Sequence, residues 1–144
     1  MLCLGYTYTQ DLLVPEMARQ LAQSGRACLV FDYRGFGRSG EQVDAVRPAD
    51  QVEDIRAAVS FLSGRDEVDA SRIALLGISL GGSHAVTAAA VDPRVAAVAT
   101  VSAAGDLRRL LQASRDKDAW TAFQDRVDAD RLARAPGRGS ETCR

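Results

Sequence analysis

The stretch that most constrains this 144-residue chain runs from residue 72 to residue 91. Residues 72–77 (RIALLG) are apolar after the opening arginine, the chain then turns through Gly77-Ile78-Ser79-Leu80-Gly81-Gly82, and residues 80 to about 91 are mostly small. A continuous apolar run of this length reads as a strand buried on both faces, as in a parallel sheet. The small-residue run after it reads as a helix. Gly77–Gly81 is a G-x-S-x-G pattern. Five residues alone are a weak signal, since about one random chain of this length in twenty would contain it at ~7% Gly and Ser. Its position between a strand and a helix carries the weight. A strand-to-helix turn that sharp needs small neighbours and holds the serine hydroxyl clear of the sheet. The helix start behind it favours developing negative charge, and the Leu80 N–H points at an attacked oxygen. The competing reading is a tight Gly-rich turn with a capping serine.

The same alternation recurs along the chain. Residues 1–5 (MLCLG), 27–31 (ACLVF) and 95–101 (VAAVATV) read as strands. Residues 11–24 read as a helix with Leu13, Met17 and Leu21 at four-residue spacing and Gly25 as its stop. A second helix starts at about Pro48 or Asp50 and runs to Ser63. Val52, Ile55, Val59 and Leu62 share one face, Asp50 and Glu53 have capping-box spacing, and Gly64 ends it. The expected fold class is therefore α/β, an open parallel sheet with helices on both faces. Residues 1–133 form a partial domain in this reading, with its core over 1–102. Residues 104–133 form a helical, lid-like segment marked by Leu107, Leu110, Leu111, Trp120, Phe123 and Val127. Residues 134–144 (RAPGRGSETCR) have almost no apolar content, and disorder is expected there.

Composition narrows the function classes. The net charge is −1 and opposite charges are interspersed. No basic patch stands out to hold nucleic acid or an anionic membrane. No apolar run approaches the ~20 residues of a membrane span. The N-terminus lacks the basic start, apolar core and cleavage site of a signal peptide. The cytoplasm is the expected compartment. Cys3 and Cys28 sit in strand-like runs and read as small buried hydrophobes. With Cys143 they make an odd count, which argues against a disulfide framework, and their spacing offers no metal site. No cofactor is expected.

Several motifs in order resemble those of the α/β-hydrolases. Gly5-Tyr6-Thr7 follows the first strand, where that family keeps its second oxyanion donor. Residues 32–39 (DYRGFGRS) resemble its D-x-R-G-x-G-x-S loop, and Asp69-Ala70-Ser71-Arg72-Ile73 resembles its approach to the nucleophile turn. The likeness spans roughly the first hundred residues. Its finer placement is with the dienelactone hydrolase and prolyl-peptidase-like group. It implies that the four strands match the family's third to sixth, in sheet order 4-3-5-6. It also implies Ser79 as nucleophile, with the N–H groups of Leu80 and Tyr6 as oxyanion donors. The family often has His-Gly where this chain has Leu4-Gly5. That histidine is not the base, so its absence bears on loop positioning. The 32–39 loop is expected to shape the rim and base of the site without catalysing.

The triad's other members are not evident. His84, the chain's single histidine, lies five residues into the helix, about 500° of rotation and ~7.5 Å of rise from Ser79. It would point away from the serine hydroxyl. The catalytic histidine is thus read as absent and His84 as a helix-face polar residue. Asp106 follows the fourth strand, where a minority of these enzymes place the acid. Its more ordinary role is a helix cap before Leu107.

The expected function is hydrolysis of a small-molecule ester, thioester or amide through an acyl-enzyme on Ser79. One alternative is a catalytically inactive interaction module, and another is an acyltransferase using the same turn. Open sheet edges would allow self-association. The chain is further expected to be a truncated hydrolase, weak as a catalyst by itself.

Overall fold

Three parallel strands pair in the order β1-β2-β3 in the computed structural model. It describes residues 1–12, 14–40 and 45–135. The strands are β1 (Leu2–Cys3), β2 (Ile73–Ile78) and β3 (Val95–Val101). On the far side of β1, Val30 makes one parallel bridge to Leu2, and the Leu2 N–H donates to Leu29 O. The implied order 4-3-5-6 is thus matched over its last three strands, with a bridge where the family's fourth strand was expected. The strand expected over 27–31, however, reduces to a single bridge. It has one neighbour among the described residues, and that neighbour is a strand of two residues, so there is little ladder to join.

The chain divides into two units, 1–104 and 105–144. In the first, helix α1 (Val14–Gln23) precedes α2 (Pro48–Ser63), and α3 (Leu80–Val91) links β2 to β3. Helix α1 begins three residues later than its periodicity suggests. Leu12 N closes a turn on Thr9 O, and the Gln10 N–H is held by Asp32. Pro15 falls in the first turn, where its missing N–H costs nothing. Leu13 lies outside the described residues. The expected Asp50–Glu53 capping box does not form. The N-cap is Arg47 with no side-chain cap bond, Pro48 opens the helix, and Glu53 pairs with Arg56 instead.

Side chains alternate along a strand. The pairs Leu2–Leu76 and Cys3–Gly77 therefore place Cys3, Ile73 and Leu75 on one face and Leu2, Ala74 and Leu76 on the other. Helices α2 and α3 cover the first face. There Ile55, Val59, Leu75, Ala85 and Ala88 are fully buried, each large side chain contributing ~1.5–3 kcal/mol. Helix α1 packs Met17, Ala18 and Leu21 against the core. Leu21 lines, with Leu2 and Leu76, a groove of about 590 Å³ on the second face. Burial of β2 on both faces was expected and is not found. Ala74 is exposed, Leu76 is half-buried and most of β3 is open. Apolar character marks a strand's preference and says nothing of whether a covering element is at hand.

The small side chains of α3 explain its close seating. Ala85 and Ala88 are completely buried, whereas Ala89 is half-buried. Ala88→Leu should overpack this layer and lower stability by about 1–3 kcal/mol. A thermal melt against the wild type reads this directly, and an unchanged midpoint would contradict the close packing.

In the second unit, α4 (Leu107–Ala113) and α5 (Lys117–Arg134) carry no buried residue. Trp120 and Phe123 stack at 5.6 Å, and the Arg115 guanidinium lies 4.6 Å from the Phe123 ring centre. Arg134, assigned to the tail from sequence, is the last residue of α5. Residues 136–144, Cys143 among them, lie outside the described residues. No described helix is long and apolar enough to cross a membrane.

Candidate active site

Ser79 stands alone between the last residue of β2 and the first of α3, with φ 53° and ψ −124°. A side chain pays about 1–3 kcal/mol for such a conformation, which persists only where the surroundings enforce it. Here the enforcement is visible. The Ser79 N–H donates to Val101 O at 2.9 Å, and Ser79 O accepts from the Gly82 N–H at 2.9 Å. A Cβ at Gly77 would lie 2.4 Å from Gly82 Cα, and one at Gly81 would lie 2.1 Å from Leu4 O. The glycines of the motif are therefore required by backbone packing. The Ser79 side chain caps no helix N–H, and the residue is exposed. The capping-serine alternative is thereby removed.

Two other non-glycine residues have positive φ, Thr7 at 59° and Ser102 at 54°. Among the described residues, these three each follow the carboxyl end of a different parallel strand. Ligands in open parallel sheets bind outside that end. Gly5 comes closest to the serine. A Cβ there would sit 3.4 Å from Ser79 Cβ and 3.3 Å from Ile78 O. Gly5 O accepts from Tyr8 N in a turn that has Tyr6 and Thr7 at its centre. Tyr6 is the next residue after Gly5, exposed in that turn. Leu80 is the first residue of α3, so its N–H is one of those a helix leaves without an internal partner.

His84 turns the other way. It is buried, its Nε2 hydrogen-bonds Gln51 Oε1 of α2 at 2.9 Å, and its ring meets Tyr33 edge-on at 6.3 Å. Desolvation holds its pKa below the ordinary value. The unfolded chain therefore binds the proton more readily than the folded one. The neutral form's stability is intact above the unfolded value near 6.5 and erodes as pH falls through it. Melts at pH 7.5 and 5.0 should show a smaller loss for His84→Gln than for wild type. Equal losses would contradict a buried neutral imidazole.

Asp106 is the N-cap of α4, with Oδ1 accepting from the Arg109 N–H at 3.0 Å. Cys3 is no rival nucleophile, because burial pushes its thiol up to about 12. No three His, Cys, Asp or Glu side chains among the described residues cluster to hold a metal ion. Two features escaped the sequence reading. One is the Gln51–His84 bond, which joins residues 33 apart. The other is the buried carboxylate of Asp32, which accepts from Gln10 N, Gln10 Nε2 and Arg38 N at 2.6, 2.9 and 2.9 Å.

The family model for the alpha/beta hydrolase fold matches residues 5–141. The chain belongs to the α/β-hydrolase family. A thiohydrolase of Arthrinium phaeospermum is 41% identical over 98 residues, 67% of this chain and 32% of that protein. A polyketide transferase of Aspergillus fumigatus is 34% identical over 126 residues, 85% of this chain and 42% of the relative. A solved structure of a hypothetical protein from Pseudomonas aeruginosa superposes with a TM-score of 0.75 at 30% identity, over 94% of this chain and 44% of the other. This α/β-hydrolase chain spans less than half the length of each of the three.

Proposed function

We propose that this chain carries the nucleophile half of a serine acyl-transfer site, with Ser79 attacking an activated acyl group. The observation that carries the reading is the exposed Ser79 held at φ 53° on the strand-to-helix turn. Attack by Oγ would form a tetrahedral oxyanion. The Leu80 N–H, at the start of α3, and the Tyr6 N–H, in the turn beside Ser79 Cβ, are the donors we assign to it. Collapse would expel the leaving group and leave an acyl-serine. Water or another acceptor would then release the acyl group. Esters, thioesters and amides all fit this sequence of steps. The similarity to a thiohydrolase favours a thioester.

His84, bonded to Gln51, is not the general base in this reading. The transferase relative supports a second reading, in which an alcohol or thiol outcompetes water as acceptor. A fluorophosphonate probe with peptide mapping tests the nucleophile. An adduct on Ser79 supports the assignment. An inert Ser79 in a folded protein would favour an interaction module on the same fold. Thioester turnover with and without an added alcohol or thiol then separates hydrolysis from transfer.

A further inference from the structure

We infer that Asp32 is a positioning residue for the oxyanion loop, an inference that rests on the nucleophile reading of Ser79. Asp32 is almost fully buried, at 3% exposure. Two of the three hydrogen bonds it accepts come from Gln10, through the main-chain N–H at 2.6 Å and Nε2 at 2.9 Å; the third comes from the Arg38 N–H. Gln10 closes the short loop that begins at Gly5 and contains Tyr6. At one end of that loop Gly5 runs close to the elbow, where an added Cβ would lie 3.3 Å from Ile78 O and 3.4 Å from Ser79 Cβ, and its carbonyl accepts from the Tyr8 N–H. The other end is fixed by Asp32. A six-residue loop closed internally by that turn and held at Gln10 has little freedom left, and the Tyr6 N–H lies between the turn's ends.

The 32–40 segment is shaped to deliver this carboxylate. Gly37 has φ +51°, and a Cβ there would lie 2.2 Å from Asp32 Oδ2. Phe36 N donates to Tyr33 O, Ser39 N donates to Phe36 O, and Arg34 pairs through its main-chain N–H and Nε with Asp54 of α2. The loop is thereby braced from α2 and carries Asp32 beneath the Gly5–Gln10 segment. Hydrogen bonds to an ionised acceptor are stronger than neutral ones. An aspartate therefore holds two main-chain N–H groups and an amide more firmly than an asparagine, which offers only one acceptor oxygen.

Asp32→Asn places an amide NH₂ against at least one of these donors. The Tyr6 N–H should then wander from the position it needs, and displacements near 1 Å cost on the order of 10²-fold in rate. Two readouts are made on the full chain. One is the rate of Ser79 modification by a fluorophosphonate. The other is amide hydrogen exchange across residues 5–10 and across α3. The inference expects labelling about 100-fold slower and faster exchange in 5–10, with exchange in α3 unchanged. Gln10→Ala, at a half-buried site, should do the same more mildly. In the pair Asp32→Asn with Gln10→Glu, the new carboxylate can accept from the asparagine amide, and part of the rate should return. Faster exchange in 5–10 with wild-type labelling would overturn the positioning role. Unchanged exchange would overturn the pinning itself. Looser 5–10 exchange in a protein whose wild type never labels would leave the pin standing and defeat the nucleophile reading.

Discussion

Replacing Ser79 by alanine is expected to abolish acyl transfer, and replacing His84 by alanine is expected to leave it. The first effect follows from the elbow. Ser79 is exposed, caps nothing and sits in a conformation that the Val101 and Gly82 bonds hold in place. Alanine leaves the backbone intact and removes the atom that would form the covalent bond. Where a complete triad operates, losing the serine costs on the order of 10⁶ in kcat, and the remaining rate reflects oxyanion and binding contributions. His84→Ala breaks the bond to Gln51 and opens a space between α2 and α3, so a lower melting temperature is expected. The labelling rate per folded molecule should stay within a few-fold of wild type. Mass spectrometry of the adduct, normalised to folded protein, gives both numbers. Equal loss in the two variants would make His84 the base and overturn the geometry argued above.

The elements nearest the site were the most legible in the sequence. The helix over Leu80–Val91 and the strand Val95–Val101 fall where the residue pattern places them, and β2 is displaced by one residue. Continuous apolar character and a glycine-flanked turn are local properties, and local properties are readable. The misses share a cause. The strand expected at 27–31 needs a partner ladder, the start of α1 depends on Asp32 capturing Gln10, and His84 faces Gln51. Each is set by a residue 20 or more positions away. The 32–39 motif reads from sequence as the rim and base of the site, because its glycines signal a loop and not what its aspartate touches. The turn at Ser79 was legible as an elbow because the motif and the elements flanking it are contiguous. Helix geometry also points His84 away from the elbow, and the bond to Gln51 agrees with that. What fills the open face of β2 and the edge at β3 is not written in an apolar run.

Gly81→Ala is expected to have the largest effect on stability of any single-methyl change in the elbow. Gly81 lies in the first turn of α3, where alanine is ordinarily the better helix former by ~0.8–1.0 kcal/mol. Propensity therefore predicts a gain, and packing predicts the reverse. The added Cβ would fall 2.1 Å from Leu4 O and 2.4 Å from Cys3 O. Both are main-chain atoms near the carboxyl end of β1, so no side-chain rotation relieves the overlap. Either α3 lifts from the sheet or β1 shifts, and Ala85 and Ala88 lose their contacts with it. Overpacking costs of about 1–3 kcal/mol apply where side chains can give way. A backbone clash at a fully buried site should reach about 3 kcal/mol or more. It should also disturb the site, because Leu80 precedes Gly81 and the Gly5 turn follows Leu4. Gly25→Ala provides the control. Gly25 has φ +78° but nothing within 4 Å of its would-be Cβ, so it loses only the ~1–2 kcal/mol of a left-handed residue. Chemical denaturation of both variants ranks them. A Gly81→Ala protein as stable as Gly25→Ala, with Ser79 labelled at the wild-type rate, would mean that α3 and β1 do not approach as closely as the elbow requires.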